Sequence, residues 1–209
     1  MAIGAVSGNY MNSYGMPART GRQGKAQGSG TVQDKVKAGY EVVQYPATYI
    51  YCHQVYKEFD TSLDSDQCQF GIYYEDGSSL DIYKSPEYTN EMPLVDIYTR
   101  SPDGEWNKET VNAKEIDLAN CSFAEMRAAM VYLKESGVIT DDWTYVELSS
   151  ANENDPNVSY EDIFTPQNWV ERVARWMQYQ IDGGEYAAYK RFACLYTAFT
   201  DYQQNVFKA

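Results

Sequence analysis

A chain of 209 residues has room for one domain with a sizeable core, and its 44% hydrophobic and 15% aromatic content exclude global disorder. Its net charge of −13 is uneven: residues 1–38 carry Arg19, Arg22, Lys25, Lys35 and Lys37 against Asp34, a local +4 that leaves −17 on the remainder. So acidic a body repels phosphate backbones and argues against nucleic-acid binding, and no apolar run is long enough for a membrane helix.

Residues 1–38 mix Gly, Ser, Gln, Asn and Lys, as in "GRQGKAQGSG". Such a segment buries too little apolar surface to offset the entropy of ordering it, which predicts a flexible N-terminal extension ahead of a single domain over 39–209. The first residues lack the charged and apolar regions of a secretory signal, so a cytoplasmic location is expected, with export lacking a conventional signal peptide as the alternative.

From Gly39 the composition turns to Tyr, Val and Ile. "YEVVQYPATYIYCHQVYKEF" (40–59) allows a strand before Pro46 and either strand or helix after it. In "CQFGIYYEDGSSLDIYKS" (68–85), two strand-like runs flank Asp76-Gly77, a pair suited to a tight hairpin. "PLVDIYTRSPDGEWNKETVNAKEIDL" (93–118) repeats the pattern around Gly104. Together these predict an antiparallel meander of about four strands.

Helices follow residue 120. Ser122 and Glu125 have the spacing of a capping box, Phe123, Met126, Met130 and Leu133 share a face, and Gly137 supplies a stop. Thr165-Pro166 reads as the cap and first turn of a second helix, with Trp169, Val170, Val173, Trp176, Met177 and Ile181 as its apolar stripe and Glu171, Arg172 and Arg175 turned outward. Gly183-Gly184 separates it from a third helix over about 185–206 bearing Phe192, Leu195, Tyr196, Phe199 and Tyr202. The fold class is thus α+β: a small antiparallel meander packed on about three helices, the last two forming an α-hairpin.

Candidate chemistry is sparse. Cys121 stands just before a helix N-terminus, whose partial positive charge favours a thiolate, yet a cysteine nucleophile needs a base and the sole histidine is His53. Burial is the plainer reading of Cys121. His53 beside Cys52 lacks the further ligands of a zinc site. Asp60, Asp64 and Asp66, and Glu153, Asp155, Glu161 and Asp162, lack the glycine and closing glutamate of a calcium loop and read as solvated loops. Cys52, Cys68, Cys121 and Cys194 form no Cys-x-x-Cys pair and read as reduced thiols. Neither a phosphate loop nor a Gly-x-Ser-x-Gly elbow occurs. No cofactor or metal is expected.

The tyrosines offer a binding face. Alternation places Tyr73 or Tyr74 in line with Tyr83 across the hairpin, an aromatic surface for a sugar ring or peptide if exposed and a cover for the helices if not.

The stretch "PLVDIYTRSPDGEWNKETVNAKEIDLANCSFAEMRAAMVYLKESG" (93–137) resembles proteins of unassigned activity from clostridial gut bacteria, in which two strands lead into an Asn-x-Ser/Thr-x-x-Glu-Met helix. Their Gly/Ser/Asn-rich start is similar as well. The resemblance implies a bacterial source and a hairpin feeding a capped helix, and brings no site residues. With no catalytic set in view, the expected function is a non-catalytic interaction or structural module with a protein partner or a second copy of itself. A hydrolase using carboxylates or Cys121, and an aromatic-lined carbohydrate or peptide binder, are the alternatives.

Overall fold

The structure is a computed structural model that describes the backbone of residues 47–50 and residues 59–63, 67–74, 76–141 and 160–208 in full. The extension predicted over 1–38, the strand allowed before Pro46, and Cys52, His53, Asp64, Asp66, Glu153 and Asp155 lie outside the described residues. Five strands, β1 (Ala47–Ile50), β2 (Cys68–Tyr74), β3 (Ser79–Lys84), β4 (Leu94–Arg100) and β5 (Trp106–Asn112), form one antiparallel sheet in chain order. The meander therefore has one strand more than the sequence predicts, and that strand follows Pro46.

The two tight hairpins share a design. Gly77 N–H donates to the Tyr74 carbonyl while Tyr74 N–H donates to Ser78, and Gly104 N–H donates to Ser101 while Ser101 N–H donates to Glu105. This is a three-residue turn closed by a bulge, which needs a left-handed residue at its third position. Gly77 and Gly104 supply it, with φ of 88° and 87°. Arg100 reaches between the turns, donating through Nη1 to the Gly77 carbonyl at 3.1 Å.

Strand alternation divides the sheet into two chemically distinct faces. Phe70, Ile72, Leu80, Ile82, Val95 and Ile97 project to one side, all at most 4% exposed. Against them lies α1 (Phe123–Glu135), with the Phe123 ring 6.0 Å from that of Phe70. Its N-terminus carries the predicted capping box: Ser122 Oγ accepts from Glu125 N–H, and Glu125 Oε2 accepts from Ser122 N–H. Its C-terminus closes on Gly137, φ 76°, with Val138 N–H reaching back to the Leu133 carbonyl. Ala124, Arg127, Ala128, Ala129 and Val131 are buried along with the predicted stripe, so α1 is enclosed on most of its circumference. Each fully buried large apolar side chain stabilises such a core by about 1.5–3 kcal/mol.

The helices α2 (Trp169–Asp182) and α3 (Tyr186–Tyr202) pack as the predicted hairpin. Three details of α2 differ from the expectation. Its cap is Asn168, whose Oδ1 accepts from Glu171 N–H, because Gln167 is held extended by a two-way backbone bridge to Cys121. Thr165 instead ends a short 3-10 turn over Glu161–Phe164. Arg172 is buried, not outward: its guanidinium lies 4.7 Å and 4.4 Å from the Trp169 and Trp176 rings. Ile181, counted in the apolar stripe, is 40% exposed. The hairpin meets α1 where Trp169 Nε1 donates to the Cys121 carbonyl at 2.9 Å and the Trp169 ring packs on Phe123.

Candidate functional site

The sheet face turned away from α1 carries the buried carboxyls of Asp81 and Asp96 and the buried phenols of Tyr83 and Tyr98. Register places Cys68, Tyr83, Asp96 and Thr110 in one row across β2–β5, and Gly71, Asp81, Tyr98 and Lys108 in the next. The Tyr83 and Tyr98 rings meet edge-on at 5.5 Å, with Leu63, Cys68 and Trp106 packed about them. Asp81 is fully buried, 3.9 Å from Cys68 Sγ and 3.4 Å from Ser79 Oγ, and burial raises its pKa well above the usual carboxylate range. Burial likewise pushes the Cys68 thiol up to about 12. Burial thus favours the protonated form of both acid and thiol, the reverse of what a nucleophile requires.

Beside this buried pair runs a charged row. Asp96 accepts from Thr110 Oγ1 at 2.6 Å and faces Lys108 Nζ at 3.0 Å. The Tyr98 hydroxyl donates to Asp60 at 3.2 Å, and Asp60, bonded chiefly by the Ser62 hydroxyl, has its pKa lowered. Each charge thus has a partner, and the row ties β4 to β5. Among the described residues no group of three or more His, Cys, Asp or Glu side chains is placed to hold a metal ion.

Cys121 is 3% exposed, and burial raises its thiol pKa, with Glu125 and Asp117 adding to the effect. In the first turn of the helix beside it, Glu125 sets a carboxylate that opposes the thiolate the helix's positive end would favour. The three tyrosines do not converge. Tyr73 pairs with Ser79 and is half-buried, and Tyr83 pairs with Cys68 and is fully buried. Tyr74, 2% exposed, projects to the opposite face among the residues that meet α1.

A different feature stands open. β5 is paired only to β4 among the described residues, keeps an unbroken register over seven residues, and has Asn107, Lys108, Glu109 and Thr110 exposed. The bridges Ser101–Glu105 and Ala113–Pro93 set its phase: Asn107, Glu109 and Val111 turn their backbone groups toward β4, and Trp106, Lys108, Thr110 and Asn112 turn theirs outward. Beside this edge, on the helix-bearing face, is a cleft of about 180 Å³ lined by Ile97, Thr99, Asn107, Glu109, Ser122, Ala124, Glu125 and Phe164. It exists because α1 begins over β4 and leaves β5 uncovered. Thr99 is 1% exposed, and its hydroxyl has no hydrogen-bond partner among the described residues. The lining includes two carboxylates and no cation.

Compared with known proteins, the chain matches no family model, no curated protein and no solved structure. No helix among the described residues is long and apolar enough to cross a membrane. The sequence reading placed β5 as the second strand of the 93–118 hairpin but gave neither its position at the sheet edge nor the cleft beside it. One signal was present: "NKET" replaces apolar alternation with charge, a pattern typical of an edge strand.

Proposed function

We propose that the chain is a non-catalytic interaction module that takes an extended segment of a partner protein as a sixth strand along β5. The observation that carries this reading is the outward row of backbone donors and acceptors at Trp106, Lys108, Thr110 and Asn112 on a regular, exposed edge. Main-chain hydrogen bonds to such a row give affinity, and a pocket beside it selects alternate side chains. At about 180 Å³ the cleft suits one side chain and is smaller than the roughly 300–1,000 Å³ that small-molecule sites occupy. The burial that disfavours ionisation of Asp81, Cys68 and Cys121 supports a binding role over acid–base or thiolate chemistry.

Thr110→Pro deletes one outward N–H and leaves the bonds to β4 in place, while Thr110→Val loses the same hydroxyl and keeps the N–H. A library of peptides of about seven residues, matching a typical strand, is panned against both. Capture by wild type and Thr110→Val but not Thr110→Pro supports the reading, with Asn112→Pro as the second probe should Thr110→Pro fail to fold. Equal capture by the proline and valine variants, or no capture by wild type, overturns it.

A further inference from the structure

Resting on the β5 reading above, we infer that the cleft selects a basic side chain, Arg or Lys, projecting from the added strand over β5. The first argument is charge. Glu109 is exposed on the strand side, Glu125 is half-buried at the start of α1, and the lining holds no cation. Glu125 already accepts the Ser122 N–H, which fixes its position without neutralising it. A cation entering between them gains from both carboxylates, while an acidic side chain is repelled.

The second argument is the floor. The Thr99 hydroxyl is buried and lacks a partner among the described residues, and a buried polar group left so costs about 1–3 kcal/mol. An ammonium or guanidinium donor reaching Thr99 Oγ1 removes that deficit. Asn107 offers a carbonyl oxygen on the same wall.

The third is reach. A sixth strand lies about 4.8 Å beyond β5, and the cleft opens over β4 and β5, so a short side chain stops above Asn107 and Glu109. A Lys or Arg stem spans that distance and lays its methylenes along Phe164 and Ile97, leaving the charge at the acidic end. A second copy of β5 meets none of these demands. Antiparallel pairing through a two-fold axis brings Asn107, Glu109 and Val111 to that face, adding carboxylates and no cation. The occupant is therefore a basic extended peptide and not another β5.

The test uses synthetic peptides of about seven residues alternating Thr and Val, with Arg, Lys, citrulline, norleucine or Glu at the centre. Binding to the full chain is read by fluorescence anisotropy. The inference expects Arg and Lys to bind about tenfold or more tightly than citrulline and norleucine, with Glu weakest, and the preference to shrink as salt rises. Glu109→Gln should cut the Arg-over-citrulline ratio to about threefold or less. Thr99→Val, which removes the hydroxyl at nearly constant shape, should lower it by a smaller factor without loss of folding. If Arg and citrulline peptides bind wild type equally and Thr110→Pro abolishes both, the edge stands and the basic-residue inference falls. If Thr110→Pro binds both as wild type does, the two readings fall together. Concentration-dependent dimerisation through β5, detected by sedimentation and removed by Thr110→Pro, also overturns the inference.

Discussion

The Tyr202 hydroxyl, in the last turn of α3, donates to the Ile116 carbonyl 2.9 Å away and shares its proton with the Ala113 carbonyl. Those carbonyls belong to the link between β5 and α1, so one phenol fastens the end of the helical hairpin to the sheet's exit. Gln203 extends the contact, accepting from Leu118 N–H and donating to Asp117 Oδ1. Tyr202→Phe keeps the ring and leaves both buried carbonyls without their donor, which should destabilise the chain by about 1–3 kcal/mol in urea unfolding. A loss within about 0.5 kcal/mol, the range of an ordinary surface substitution, would mean that this fastening contributes nothing.

The capping box makes a prediction about coupling. Ser122→Ala should cost about 0.5–2 kcal/mol. Glu125→Ala removes the reciprocal bond to Ser122 N–H, and because the two bonds position one another, the double variant should lose less than the sum of the singles. Strict additivity in denaturant midpoints would show that the two bonds act independently.

These contacts also mark what sequence conveys. The Ser122/Glu125 spacing, Gly137 and the Gly183-Gly184 break are local signals whose chemistry is complete within a few residues, and each appears in the fold where its spacing places it. Arg172 was not legible, because a charged residue is conventionally turned to water and only the fold brings Trp169 and Trp176 to either side of its guanidinium. Thr165-Pro166 resembled a helix start as well as Asn168 does, and the choice was made by the distant bridge from Gln167 to Cys121. β3 is buried on both faces, which put Asp81 and Tyr83 inside although alternation alone assigns one face to water. The cleft depends on where α1 crosses β4 and had no local signature at all.

Cysteine accessibility gives a direct chemical check. Cys194 is exposed, whereas Cys121 is buried and Cys68 partly so, with thiol pKa values raised by burial in both. Alkylation proceeds through the thiolate, so native iodoacetamide labelling at about pH 8 should modify Cys194 ahead of Cys68 and Cys121, which react more slowly by about a hundredfold or more. Peptide mass spectrometry against time reads the order. Early labelling of Cys121 would restore the nucleophile that its position beside a helix start first brings to mind.

Asp81 should set part of the pH dependence of stability. The groups facing it are the Cys68 thiol and the Ser79 hydroxyl, with Gly71 and Tyr98 across the ladder, and none of these is a cation that would hold a carboxylate. Its folded pKa therefore lies above the 3.8 of the unfolded chain. Between those two values the folded state binds the proton and the unfolded state does not, so the group's contribution is fully present below pH 3.8 and is lost as pH rises through the folded pKa. The slope of that loss is at most about 1.4 kcal/mol per pH unit. Asp81→Asn cannot ionise and should lack it, whatever its own stability. The difference in unfolding free energy, wild type minus Asp81→Asn, should accordingly fall as pH rises above 3.8 and level off once it passes the folded pKa, and subtraction cancels the titration of other carboxylates. A difference that stays flat as pH rises from 3.8 would place Asp81 in a wetter or better-compensated setting than its burial implies.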